Sequence, residues 1–123
     1  EVRVLHGDIH HRNIRQSSRG WLSFDPKGVV GERTYECANT LCNPVMPELV
    51  HNETRLLTNA AILADALALD FARVLAFTYA YTCLNASWWS RRVGTTATED
   101  AETAEGIVRW HLDIAKIIEP HLT

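Results

Sequence analysis

At Pro47 the chain changes period. Beyond it Leu49, Val50, Leu56, Leu57, Ala60, Ala61, Leu63, Ala64 and Leu67 recur at intervals of three and four, the spacing that lines apolar side chains along one stripe of a helix. Pro47 suits a first helical position, where a missing N–H costs nothing. Asp70 is placed to cap a second helix, in which Phe71, Val74, Leu75, Thr78, Tyr81 and Trp88 lie along one broad stripe. Residues 91–98 interrupt the pattern. A last helix is expected from near Thr96, where Thr96-Ala97-Thr98-Glu99 fits a capping box, with Ala104, Ile107, Val108, His111, Leu112, Ala115 and Ile118 facing inward until Pro120.

Before Pro47 the pattern is β-like and then irregular. Val2, Val4 and Leu5 make a short apolar entry, and residues 13–16 and 20–24 flank Ser17-Ser18-Arg19, a polar turn suited to a hairpin. Between Asp25 and Pro47, Pro26, Gly28, Gly31 and Pro44 favour an extended or looped connection, with a brief helix near residues 34–41. The expected fold is mainly α with a small β hairpin, an α+β arrangement of one domain. A chain of 123 residues, 46% hydrophobic and 22% charged, buries one core and is too short for a bilobal enzyme.

Charge is unevenly spread. Residues 1–33 carry six cations against four anions, and residues 34–123 carry six against eleven, for a net charge of −3. That balance argues against a dedicated nucleic-acid binder. Cys37, Cys42 and Cys83 form neither a disulfide framework nor a Cys-x-x-Cys zinc pattern, which makes a reducing cytoplasm the expected location. Asp65, Asp70 and Arg73 interrupt the most apolar stretch, so no membrane span is expected. The start on Glu1, with an apolar run and no leader, reads as a chain cut from something longer, although a processed terminus would look the same.

The densest polar cluster is His6-Gly7-Asp8-Ile9-His10-His11-Arg12-Asn13-Ile14, bracketed by two strands, and Asp25 ends the Trp21-Leu22-Ser23-Phe24 strand. Phosphoryl transfer needs a carboxylate that takes the acceptor's proton and hard oxygen ligands that hold Mg²⁺ on the nucleotide phosphates. Asp8, Asn13 and Asp25 are of those types, and the hairpin is expected to return Asp25 beside the loop.

The pattern His6-Gly7-Asp8-x-His10-x-x-Asn13 resembles the catalytic loop of the aminoglycoside phosphotransferases, a branch of the protein-kinase-like fold. Asp25-Pro26-Lys27-Gly28 matches the family's metal-binding segment, and Gly31-Glu32-Arg33-Thr34-Tyr35-Glu36-Cys37-Ala38 is similar to its G-D-P-x-Y-D-x-A segment. The run from Trp21 to Gly31 is similar to the streptomycin and hydroxyurea kinase subgroup. The resemblance implies Asp8 as catalytic base, Asn13 and Asp25 as Mg²⁺ ligands, and His6 and His10 as supports of the catalytic loop. It implies ATP and Mg²⁺ in the complete enzyme, a small cationic hydroxyl acceptor of the streptomycin type, and antibiotic resistance. Residues 1–46 would carry the catalytic loop, hairpin and metal-binding loop, and residues 47–123 a helical subdomain. Together they would form the C-terminal catalytic and acceptor-binding lobe of the kinase fold. No Gly-rich phosphate loop, strand lysine or partner-glutamate helix is found in these residues, so an N-terminal nucleotide lobe is the expected partner and this length alone is expected to be inactive. Two positions depart from the family: Arg12 replaces a usual glycine and is expected to crowd the turn, and Glu36 replaces a usual aspartate and is expected to alter a supporting hydrogen bond.

Other residues have a functional reading beside a structural one. Glu99 and Glu102 could attract a polycationic acceptor, or simply favour a helix N-terminus. Trp89 could stack on a sugar, or cover a neighbouring helix; one of Trp88 and Trp89 is expected to face the core. Trp21, Tyr79, Tyr81 and Trp110 read as packing residues, and His51, His111 and His121 as surface or satisfied helix residues. Two other functions compete. His6, Asp8 and His10 alternate as in a metal-dependent phosphoesterase, although the further Gly-Asp and Gly-Asn-His segments of those enzymes do not follow. A non-catalytic interaction domain would self-associate through an apolar patch at Val2, Val4 and Leu5.

Overall fold

A computed structural model describes residues 1–94 and 98–123, and side chains outside 98–102. Four short strands come first: β1 (Val2–Leu5), β2 (Ile14–Ser17), β3 (Gly20–Ser23) and β4 (Val29–Glu32). The expected hairpin is β2–β3, antiparallel, with Ile14 opposite Ser23 and Ser17 opposite Gly20. The connection after Asp25 contains a strand the punctuation hid. β4 pairs antiparallel with β1, Val2 opposite Glu32 and Leu5 opposite Val29, so the apolar entry has a partner more than twenty residues away. Four-residue strands with glycines beside them carry too little alternation to be recognised locally.

Five α-helices follow among the described residues, α1 (Glu36–Leu41), α2 (Pro47–Val50), α3 (Glu53–Leu67), α4 (Phe71–Ser90) and α5 (Thr98–Ile118). The periodic stretch after Pro47 is thus two helices. Pro47 does open the first, but the chain breaks at His51, and the Asn52 side chain accepts a hydrogen bond from the Arg55 N–H to start α3 afresh. Asp70 caps α4 as expected, its Oδ1 accepting from the Arg73 N–H at 2.8 Å. The proposed capping box at residues 96–99 lies outside the described residues. At the other end α5 stops at Ile118, and Pro120 sits in one turn of 3-10 helix.

The core lies among the helices. Leu41, Val50, Leu56, Ala60, Val74, Leu75, Ile114 and Ile118 form one buried cluster, with Tyr79, Tyr81 and Trp110 packed against it. The α4 stripe shifts from the expected one: Val74, Leu75, Thr78, Thr82 and Ala86 are buried, whereas Phe71 and Trp88 are exposed. Both lie near the ends of the helix. Trp89 is half-buried. On α5, Ala104, Ile114, Ala115 and Ile118 are buried, and Leu112 points outward. Trp21 is 70% exposed on the hairpin and packs no core. The Val2, Val4 and Leu5 patch divides: Val2 and Val4 are exposed, but Leu5 is 4% exposed because it turns inward. No helix among the described residues is long and apolar enough to cross a membrane.

Candidate functional site

The loop between β1 and β2 is built by its own backbone and by one face of α1. Gly7 adopts φ +82°, and a Cβ there would stand 2.9 Å from a Val29 methyl, so both the turn and the close approach of β4 require glycine. Glu36, Asn39 and Thr40 lie at i, i+3 and i+4, which puts them on one side of α1. The Glu36 carboxylate accepts the His6 and Gly7 N–H groups, both at 2.8 Å. Thr40 donates to the Ile9 carbonyl at 2.9 Å, and Asn39 Nδ2 donates to Asp8 Oδ1 at 2.8 Å. The opposite side of α1, Cys37, Ala38 and Leu41, is buried in the core. A six-residue helix therefore anchors the loop to the helical part. The departure at Glu36 preserves the support, since its longer side chain still reaches two backbone donors.

His6 ties the loop to the strand that ends at Asp25. Its Nδ1 accepts the Asp8 N–H at 3.1 Å, which leaves the proton on Nε2, and Nε2 donates to the Phe24 carbonyl at 2.7 Å. Two backbone bonds close the same junction, from the Phe24 N–H to the Asn13 carbonyl at 3.0 Å and from the Lys27 N–H to the His6 carbonyl at 2.7 Å. The hairpin does bring the Asp25 backbone back beside the loop.

Asn13 is buried, and its Nδ2 donates to the Asp8 carbonyl at 2.9 Å, leaving Oδ1 as a hard oxygen donor. Asp25 is exposed at φ +57°, a left-handed conformation that aspartate tolerates better than most residues, and its carboxylate makes no hydrogen bond or ion pair among the described residues. One amide oxygen and one uncommitted carboxylate are the donor set that Mg²⁺ prefers, so these residues fit that ion. His10 caps the turn: its Nδ1 accepts from the Arg12 N–H at 3.2 Å, and its Nε2 lies 3.7 Å from Asp8 Oδ1. Arg12 does not crowd this turn, because its side chain is exposed and its N–H completes the His10 contact.

The phosphoesterase grouping finds no support here. Both His6 ring nitrogens are engaged within the loop, and no cluster of three or more His, Cys, Asp or Glu among the described residues is placed to hold a metal. The Glu99 and Glu102 side chains lie outside the described residues. Trp89 lines a small surface hollow with Trp88 and Arg92, its ring 4.6 Å below the Arg92 guanidinium, and none of the loop residues joins them.

Sequence reasoning missed Asn39, Thr40 and Tyr81. Tyr81 on α4 donates to Asn39 Oδ1 at 2.9 Å, so the contact to Asp8 continues into the helical part. Burial pushes the Tyr81 hydroxyl above its ordinary range, and Cys42, Tyr35 and Asp8 add to the effect. Beyond Asn39 opens a cavity of about 360 Å³, lined among others by Asn43, Tyr81, Asn85, Trp110 and His111. His111 Nδ1 faces the Ile107 carbonyl at 2.9 Å; burial lowers its pKa, so the neutral ring donates there and keeps Nε2 as an acceptor. Polar residues at i, i+3 and i+4 of the brief helix were the only local signal for the α1 contacts. Nothing local pointed to Tyr81.

The chain is 37% identical over 94 residues to the streptomycin 3''-kinase of Klebsiella pneumoniae, an alignment covering 72% of this chain and 35% of that protein. It therefore spans about a third of the curated relative it matches. No solved structure matches it. Residues 1–94, from β1 through the end of α4, match the family described as aminoglycoside/hydroxyurea antibiotic resistance kinase, and the chain belongs to that family.

Proposed function

We propose that these residues form the C-terminal lobe of an ATP-dependent kinase that phosphorylates a hydroxyl of a cationic, streptomycin-like aminoglycoside and so confers resistance. The observation that carries this reading is the junction made by His6, which joins the Asp8 loop to the strand ending in Asp25 while Asn13 bonds the Asp8 backbone. Asp8 is the base that takes the acceptor's proton. Asn13 Oδ1 and the Asp25 carboxylate hold Mg²⁺, which when bound neutralises charge on the transferring phosphoryl group. His6 and His10 hold the loop in shape.

The cavity beyond Asn39 supports an acceptor site. Asn43 and Asn85 offer amides to hydroxyls, Trp110 and Tyr81 offer faces for a sugar ring, and His111 offers an acceptor nitrogen. Thr103 and Gly106 of α5 also line the cavity; Glu99 and Glu102, acidic residues just before them in the sequence, are proposed to draw in the cationic acceptor. Val2, Val4 and Val30 are 72%, 78% and 71% exposed on one face of the β1–β4 pair, and we assign that face to the nucleotide lobe. The protein works in the cytoplasm, where ATP is available.

The test is phosphate transfer from ATP to streptomycin with Mg²⁺, measured for the 123-residue chain alone and for the chain joined to a nucleotide lobe. Turnover is expected only from the joined protein, and Asp8→Asn is expected to slow it by roughly 10²–10⁴-fold while ATP binding persists. Clear turnover by the chain alone would sink the lobe assignment, and an unaffected Asp8→Asn enzyme would sink the base assignment.

A further inference from the structure

The side-chain amide of Asn39 has only one orientation open to it. Its Oδ1 accepts from two donors, the Tyr81 hydroxyl at 2.9 Å and Asn43 Nδ2 at 3.0 Å. A flipped amide would set its NH₂ against the Asn43 NH₂ and its oxygen against the Asp8 carboxylate, so Nδ2 must face Asp8 Oδ1 at 2.8 Å. Asn43 is itself secured by a second bond from the same Nδ2 to the Asn39 carbonyl at 2.8 Å. The two oxygens of Asp8 are therefore unlike. Oδ1 is held by Asn39, with the His10 ring 3.7 Å away. Among the described residues Oδ2 has a single long contact, 3.4 Å to Asn13 Nδ2, whose nearer acceptor is the Asp8 carbonyl at 2.9 Å.

From this asymmetry we infer that Asn39, set by Tyr81 and Asn43, is a positioning residue that fixes the Asp8 carboxylate by Oδ1 and leaves Oδ2 as the atom that receives the acceptor's proton. The inference rests on Asp8 being the base. In the step, the acceptor oxygen forms its bond to the γ-phosphorus, the bond from that phosphorus to the β–γ bridging oxygen of ATP breaks to release ADP, and the hydroxyl proton passes to Oδ2. A carboxylate free to rotate would offer its basic lone pair in the right direction for only part of the time. Misplacement of a catalytic group by about 1 Å can cost about 10²-fold in rate. Tyr81 also lines the cavity assigned to the acceptor, so the group that orients the base touches the site where the acceptor sits.

The experiment is a kcat and KM comparison in the complete kinase proposed above. Asn39→Ala is expected to lower kcat by roughly 10- to 100-fold with KM for ATP unchanged. Asn39→Asp keeps the shape and still accepts from Tyr81 and Asn43, but turns an acceptor instead of a donor toward Asp8, so it should lose at least as much even though packing is preserved. Tyr81→Phe should cost only about three- to tenfold, because Asn43 still holds the amide, and in the double variant that loss should vanish against the Asn39→Ala background, as it must if Tyr81 acts through Asn39. Wild-type kcat in Asn39→Asp, or a Tyr81→Phe loss that multiplies in full onto Asn39→Ala, overturns the relay. An inert Asp8→Asn enzyme beside an unaffected Asn39→Asp enzyme overturns the relay alone, whereas an active Asp8→Asn enzyme removes the base assignment and the relay with it.

Discussion

In the first 35 residues Val2, Val4, Trp21 and Val30 face outward and Leu5 is the one buried hydrophobe, whereas α1 to α5 shut away Leu41, Val50, Leu56, Val74, Leu75, Ile114 and Ile118. The loop-and-sheet region is held by directed bonds, from His6 to Phe24, from Glu36 to two loop N–H groups and from Asn39 to Asp8. The helices are held by apolar burial. A site that must set several polar atoms to within a fraction of an ångström needs hydrogen bonds, which have direction, more than burial, which has none. Geometry at the site and stability of the chain thus reside in different places, and α1 serves both, with one face in the core and one under the loop.

Single substitutions can break that contrast. The largest stability effect is expected from Leu75→Ala, a fully enclosed site where truncation costs about 2–5 kcal/mol; Trp21→Ala, on the exposed hairpin, should stay within about 0.5 kcal/mol, and urea unfolding of both compares the regions directly. A hairpin variant as damaging as the core variant would erase the distinction. Gly7→Ala comes next. Its left-handed backbone and the approach of Val29 should cost about 1–3 kcal/mol and displace the loop, visible as a lowered melting temperature and shifted amide resonances of Asp8 and Ile9.

Glu36→Gln should have a smaller effect, about 1 kcal/mol, because one amide oxygen replaces two carboxylate oxygens as acceptor for the His6 and Gly7 N–H groups; amide hydrogen exchange at those two residues would reveal it. The smallest effect concerns the exposed Glu32–Arg73 pair, which links β4 to α4. Its bond to Arg73 holds the Glu32 carboxyl at about 2, below the usual 4.5, so the pair's support is complete above pH 4.5 and is lost as pH falls toward 2. Stability of Glu32→Gln and of the wild type should converge in that acid range, and a gap that stays constant with pH would refute the account.

Legibility followed the range of the cause. The hairpin, the caps at Pro47 and Asp70 and the helical stripes come from neighbours within a few residues, and they were readable. Asp8, Asn13 and Asp25 stood out as polar residue types in a fixed order around the strands, and their roles belong to the proposal. β4 was hidden because its partner lies in β1, and the α2–α3 break because both helices share one apolar period. Trp88 and Leu112 fit their periods yet face solvent, since a period marks a stripe without saying where the neighbouring helix ends.

What the residues alone determined was which carboxylate, amide and imidazole side chains stand in this chain, in what order, and that helices would follow them. Tertiary structure decided how those side chains are aimed. Asn39 faces Asp8 because its amide oxygen is held by Asn43 and by Tyr81, which meets it from α4, forty-two residues along the chain. Hydrogen-bond partners are chosen in space, and that choice has no trace in local spacing.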